Sequence, residues 1–334
     1  MNHSEFIKLV NNGLPSGTYI LHGEEEYVKD MAVRLVTEKV EPDLRPFNVS
    51  ELVKPSPQEL SETAETLPFF SERRIVIARG LADNTDFSKY SECFSERPEE
   101  TSILLVFKGK LTENSAAVKY ARKSGTEVVF DRLSVTECAK WCMKRANKAG
   151  VNLAQDVAQL AVRMIGDEMA DIVSETDKLI DYVGVGGTVK SEDVAACVKP
   201  SLDVKVFDML DMFTYGKPAD GIMALHALLD DGNDALGVSG FLVSRFKIML
   251  EARRGIDAGK NKQETVSRME GSRFANERAF EAARRFTQDE LLNLISALAD
   301  TAYMKISGAM KEDKYLELVL LKHEWRQDTI MPNR

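Results

Sequence analysis

Short apolar runs alternate with helical stretches up to Asp131, and beyond that point the alternation stops. The runs fall at 18–22, 46–50, 74–78, 102–107 and 127–130. They are rich in Ile, Val and Phe, and several are flanked by Gly, Pro or charge. Helical stretches at 27–40, 57–66, 86–94 and 113–123 separate them. Strands joined through helices cannot pair as hairpins, so this spacing predicts a mostly parallel sheet covered on both faces.

After Asp131 the pattern turns helical. Ser134, with Glu137 three residues on, is a capping box for a helix predicted through Ala149 and ended by Gly150. Helices are predicted at 152–165, 171–182 and 191–198. Gly184, Val185, Gly186 and Gly187 follow a helix and lack phosphate-loop spacing, so they read as a turn. Lys199, Pro200 and Ser201 read as a linker. From Val204 onwards apolar residues recur at helical spacing: Phe207, Leu210 and Phe213; Ile222, Leu225, Leu228 and Leu229; Val238, Leu242, Phe246 and Met249; Leu291, Leu294 and Leu298. Several such stripes in succession predict a helical bundle. The basic, Gly-containing stretch 255–271 is predicted to be a loop.

A chain of 334 residues is long enough for two or three domains. Its formal net charge of -9 argues against a protein that grips nucleic acid by charge alone, while allowing a subunit that meets DNA inside a larger basic assembly. Cys93, Cys138, Cys142 and Cys197 lack paired CxxC spacing and read as structural thiols of a reducing compartment. The four histidines are isolated in sequence, and His226 reads as a solvated or satisfied side chain. No metal site is expected. The start of the chain carries no basic segment followed by a long apolar one, and no run of 18 apolar residues occurs, so neither a secretory signal nor a membrane span is expected.

An α/β domain followed by helices raises the prospect of a nucleotide-dependent ATPase, so the turn after the first strand is decisive. A phosphate cradle needs GxxxxGK[ST], in which glycines admit backbone amides, lysine neutralises phosphate and the hydroxyl meets magnesium. Here the turn runs His22, Gly23, Glu24, Glu25, Glu26, Tyr27, Val28, Lys29. Only the first glycine is kept, and the three glutamates read as a solvated helix start favoured by the helix dipole. The strand ending at Ala78 is followed by Arg79 rather than by an acidic pair able to hold magnesium. ATP hydrolysis is therefore not expected. The alternative is a P-loop-like ATPase with an unconventional site.

Leu67, Pro68, Phe69, Phe70, Ser71, Glu72, Arg73 and Arg74 join a helix to a strand. Adjacent rings cannot both enter one narrow core stripe of a regular element, and Pro68 stops the helix before them. Two readings stay open: the rings plug a partner's pocket, or one or both fold back onto the domain's own sheet.

The order of these segments resembles the delta subunit family of bacterial DNA polymerase III. The likeness rests on Tyr19 to Glu25 at the relic phosphate turn, on Leu67 to Arg74, on Glu175 to Leu179 and Val204 to Asp208, and on Asp300, Lys305 and Leu316 to Leu318. The resemblance implies an α/β plus all-α fold. Its parts would be a degenerate AAA+ domain with a RecA-like parallel sheet (1–133), a small helical lid domain (134–200) and a helical collar domain (204–334). It implies a non-catalytic clamp-loader subunit that opens the sliding clamp for loading onto primed DNA, with Leu67, Phe69 and Phe70 as clamp-binding residues. No ATPase or polymerase chemistry of its own is implied, although the family belongs to a DNA-directed DNA polymerase holoenzyme. No catalytic residue, cofactor or metal is implied either. The implied partners are the beta sliding clamp, the gamma/tau motor subunits, delta-prime and, within the assembly, primed DNA; the implied location is cytoplasmic and nucleoid-associated, with no membrane. The chain departs from some relatives in carrying Ser307, not an aromatic residue, beside Gly308.

Overall fold

The computed structural model describes residues 1–90, 94, 97–166, 168–269 and 273–323, apart from the side chains of Asp203, Thr214, Arg273 and Phe274. The chain divides into two compact units, Met1–Leu133 and Ser134–Arg334.

The first unit runs α1 (His3–Asn11), β1 (Thr18–His22), α2 (Glu26–Thr37), α3 (Arg45–Asn48), β2 (Val49–Val53), α4 (Pro57–Glu65), β3 (Arg74–Arg79), β4 (Thr101–Val106), α5 (Ala116–Ser124) and β5 (Thr126–Val129). Its five strands are all parallel, in the order β2-β3-β4-β1-β5. The three central strands are buried along their whole length except at Arg79, as a sheet covered on both faces requires. On one face Ile20, Val76, Ile103 and Leu105 pack with Leu60, Phe87, Phe94 and Val118. Elsewhere in the core, Phe6 of α1 lies 5.6 Å from Tyr19 and 6.3 Å from Phe130, ring centre to ring centre. The fold class is the one expected.

Local boundaries differ from the sequence reading. The second strand begins at Val49 rather than 46, because Arg45–Asn48 forms a helical turn with Pro46 in its first positions, where a missing N–H costs nothing. Of the predicted helix 86–94, the described part contains a 3-10 turn at Phe87–Lys89, capped by Asp86; residues 91–93, including Cys93, lie outside the described residues. The last helix of this unit starts at Ala116, after Ser115.

The second unit runs α6 (Val135–Lys148), β6 (Asn152–Leu153), α7 (Gln155–Ile165), α8 (Met169–Val183), β7 (Thr188–Val189), α9 (Ser191–Cys197), α10 (Leu202–Thr214), α11 (Pro218–Asp230), α12 (Ala235–Asp257), α13 (Lys262–Val266), α14 (Arg273–Ala283), α15 (Gln288–Ala299), α16 (Thr301–Ser307) and α17 (Glu312–Lys322). The expected capping box is present: Ser134 Oγ accepts from the Glu137 amide, and Glu137 accepts from the Ser134 amide at 2.9 Å. From α10 on, the predicted stripes meet in one core that includes Phe213, Leu225, Leu242, Phe246, Leu294 and Leu316.

Strands do not stop at Asp131. β6 pairs in parallel with β7, two residues each, and this shortens the predicted helix 152–165 to begin at Gln155. The Gly184–Gly187 turn enables the pairing: Gly186 donates to the Gly150 carbonyl at 2.8 Å and Asn152 to the Gly187 carbonyl at 2.9 Å. Ser201 is not a free linker residue, since its side chain caps α10 and its amide donates to the Met164 carbonyl at 3.0 Å. The predicted loop 255–271 is interrupted by helix at both 255–257 and 262–266, with α12 continuing to Asp257 and α13 following a turn at Gly259, whose φ is +73°. Gly255 marks a close approach rather than a break: a Cβ there would meet Thr265 at 2.5 Å. Gly271 lies outside the described residues.

Candidate functional site

The segment between α4 and β3 is built to project. Ser56 caps α4 and Pro57 starts it, and Thr66 then leaves the helix with extended backbone just before Pro68. The rings that follow remain in solvent. Leu67 is 67%, Phe69 51% and Phe70 83% exposed. Phe69 and Phe70 stand edge to face with centroids 4.6 Å apart, a favourable aromatic geometry. The rings do not fold back into the core of the sheet.

Sequence reasoning missed two neighbours. Phe47, from the turn α3, is 56% exposed and its ring lies 5.2 Å from that of Phe69. The three phenylalanines therefore form one run of apolar surface. Asn48 is fully buried. Its Oδ1 accepts from the Phe69 amide at 2.6 Å and its Nδ2 donates to the Phe69 carbonyl at 2.9 Å, with a further bond to the Leu44 carbonyl at 2.9 Å. No sequence pattern announces a carboxamide that reaches a loop 21 residues away; the nearest signal is a polar residue inside the predicted strand 46–50.

Two arginines fix the far end of the loop. Arg74 is buried and donates to the carbonyls of Thr63 at 3.0 Å and Phe47 at 2.8 Å, and to Ser50 Oγ at 3.3 Å. Burial pulls its pKa below the ordinary arginine value. Arg73 donates to the Leu14 carbonyl. Within this frame Phe70 adopts φ of +47°, a left-handed conformation that costs a non-glycine residue about 1–2 kcal/mol. Such strain persists where surrounding contacts over-determine the backbone, and it gathers at sites of function.

The turn after β1 is closed by its own chain. The Gly23 amide donates to the Gly109 carbonyl at 2.7 Å and the Glu25 amide to the Phe130 carbonyl at 2.9 Å, so these amides do not face an anion. Gly23 has φ of +130°, and a Cβ there would meet the Phe130 carbonyl oxygen at 2.2 Å. Lys29 is fully buried, and its ammonium donates to the carbonyls of Gly23 at 3.1 Å and Phe107 at 2.7 Å and to Glu26 at 2.9 Å. Glu26 also accepts from the Gly109 amide at 2.8 Å. The glutamates are not uniformly a solvated helix start. Glu25 is buried, 3.8 Å from Arg132, because the tight turn at Gly23 carries it inward.

His22, at the end of β1, accepts at Nδ1 from the Leu111 amide at 3.2 Å and bonds Glu127 through Nε2 at 3.1 Å. Burial lowers its pKa, against the opposing pull of Glu127. At the end of β3, Arg79 bridges Asp30 at 2.8 Å and Glu51 at 2.5 Å. A cation thus neutralises the carboxylates at the place where an ATPase would expose an acidic pair.

Several basic residues of the second unit are engaged internally. Arg253 pairs with Asp257, Arg284 with Glu281 at 3.5 Å, and Arg285 with Asp211 at 3.5 Å and Tyr215 Oη at 2.6 Å. His226 bonds Glu317 at 2.6 Å. Cys138 and Cys142 are buried, and burial raises the Cys142 thiol pKa. Among the described residues no cluster of three or more His, Cys, Asp or Glu has metal-holding geometry, and no helix is long and apolar enough to cross a membrane.

Comparison with known proteins agrees with this arrangement. The family model described as DNA polymerase III, delta subunit matches residues 19–131, and the one described as DNA polymerase III delta subunit, C-terminal domain matches residues 203–323. The chain is 23% identical over 329 residues to DNA polymerase III subunit delta of Bacillus subtilis (strain 168), covering 94% of this chain and 95% of that one. It is 21% identical over 239 residues to the probable DNA polymerase III subunit delta of Aquifex aeolicus (strain VF5), covering 68% and 67%. Among solved structures it shares the fold of the Bacillus subtilis DNA clamp loader delta protein, with a TM-score of 0.75, 21% identity and coverage of 96% and 98%. A parallel-sheet unit with a closed phosphate turn, followed by a helical unit, and two family models that match in that order place the chain in the DNA polymerase III delta subunit family.

Proposed function

We propose that the chain binds a sliding clamp through Leu67, Phe69 and Phe70 and opens it for loading onto primed DNA. The observation that carries this reading is the pair of adjacent rings held in solvent, with Phe70 83% exposed on a left-handed backbone. An apolar surface raised on a pinned loop serves as an anchor for a pocket, and truncating such an aromatic anchor typically costs about 2 kcal/mol or more of binding.

The mechanism is conformational. A wedge opens a ring only in so far as it binds the distorted interface more tightly than the closed one. No nucleotide chemistry of this chain enters, since the amides of Gly23 and Glu25 and the ammonium of Lys29 are committed to the chain's own carbonyls and to Glu26. Supply of ATP energy falls to the motor subunits, gamma or tau, which with delta-prime complete the loader.

In this reading residues 1–133 are the degenerate AAA+ domain that carries the wedge, 134–200 the lid and 204–334 the collar that joins neighbouring subunits. Primed DNA is met within the assembly rather than gripped by this acidic chain alone, and the work is cytoplasmic. The test is a sliding clamp labelled with a fluorophore pair across one subunit interface. Addition of the full chain without ATP is expected to bind the clamp and separate the pair. Binding with no change in the pair would contradict opening, and an absence of binding would contradict the whole reading.

A further inference from the structure

Loops that carry exposed aromatic rings ordinarily lose entropy when a partner orders them. Here that ordering is already built into the fold. Asn48 is the fully buried last residue of α3, and its carboxamide makes two bonds to the peptide groups of a single loop residue, Phe69. Its third bond, to the Leu44 carbonyl, fixes the carboxamide itself. Arg74 holds the Phe47 carbonyl beside it, so the turn bearing Phe47 and the loop bearing Phe69 are tied at two points. The next residue, Phe70, sits at φ of +47°, which a free loop would relax.

We propose that Asn48 is the positioning residue of the clamp-binding loop: its paired bonds to the Phe69 backbone hold Phe69 and Phe70 in the projecting, binding-competent conformation before any partner arrives. The proposal rests on the wedge reading above. Asn48 itself, buried beneath the loop, touches no partner. Its effect is on the fraction of molecules whose rings are ready, and apparent affinity scales with that fraction.

The test is association kinetics of the full chain on immobilised sliding clamp, for the unmodified chain, Asn48→Leu and the double variant Phe69→Ala/Phe70→Ala. Leucine keeps the side chain's shape and removes all three bonds. For Asn48→Leu the on-rate is expected to fall about tenfold while the off-rate stays within about twofold, because the seated rings are the same once bound. An unchanged affinity, or a loss confined to the off-rate, would overturn the proposal. Retention of binding by the double alanine variant would overturn the wedge reading instead, so the two failures are distinct. Should Asn48→Leu fail to fold, amide hydrogen exchange on the unmodified chain decides. The Phe69 amide, though it belongs to a half-exposed residue, is expected to exchange at least about 100-fold more slowly than an unprotected amide. Exchange at the unprotected rate would show that Asn48 does not hold the loop.

Discussion

At Phe70 and His22 the stability of the fold turns on a single residue, through backbone strain at the first and protonation at the second. Phe70 keeps a left-handed backbone, 83% exposed, with a ring that packs edge to face on its neighbour. Phe70→Gly relieves the backbone strain, worth about 1–2 kcal/mol, against a smaller loss from the added freedom of the unfolded chain. Thermal unfolding is expected to be unchanged or raised while clamp binding drops; a lower melting temperature would show that the ring supports the fold. His22 is a titrating counterpart. Its folded pKa lies below the ordinary value of about 6.5, first through burial, with Glu127 opposing and Lys29 and Lys110 assisting. The unfolded chain therefore binds a proton that the folded chain resists. The stability contributed by neutral His22 is complete above about pH 6.5 and is lost as pH falls towards the folded value, with a slope of at most about 1.4 kcal/mol per pH unit. Melting curves between pH 7.5 and 5.5 are expected to fall less steeply for His22→Gln. Equal slopes would place the pH dependence elsewhere.

At the scale of elements, what was legible in the sequence was whatever periodicity and capping chemistry decide. The buried central strands, the Ser134–Glu137 box and the bundle stripes all carry local signals. What was not legible depends on partners distant in sequence. The turn at Arg45–Asn48 looked like the start of a strand because Phe47 and Val49 are strand formers. It is helical, and its Asn48 is bonded to Phe69, 21 residues away. The β6–β7 pairing depends on a glycine turn meeting Gly150. At the candidate site the residues alone leave the Phe69–Phe70 pair open and the family resemblance singles out Leu67, Phe69 and Phe70, whereas Phe47 and Asn48 need the fold. The same distance dependence makes Gly23 testable. A Cβ there would lie 2.2 Å from the Phe130 carbonyl oxygen, on a backbone of φ +130°. Gly23→Ala is expected to destabilise the first unit by more than about 2 kcal/mol in denaturant unfolding. A change under about 0.5 kcal/mol would mean that the turn is not as closed as described.

The first compact unit, Met1–Leu133, carries the aromatic loop, and the helical bundle lies in the second. A fragment of residues 1–133 is expected to retain clamp binding within about threefold of the full chain and to fail to enter the loader with motor subunits. Entry by the fragment would contradict the collar assignment.

The central claim, that Phe69 and Phe70 are anchors rather than core, is tested most directly by measuring clamp affinity and thermal unfolding on one protein, Phe69→Ala/Phe70→Ala. Loss of a buried Phe typically costs about 3–5 kcal/mol, so two such losses would exhaust much of a domain stability of about 5–15 kcal/mol. For rings that are 51% and 83% exposed, the account predicts a stability change under about 1 kcal/mol and a fall in clamp affinity of at least about 100-fold. Unchanged clamp binding, or a collapse of stability with no separate binding defect, would contradict it.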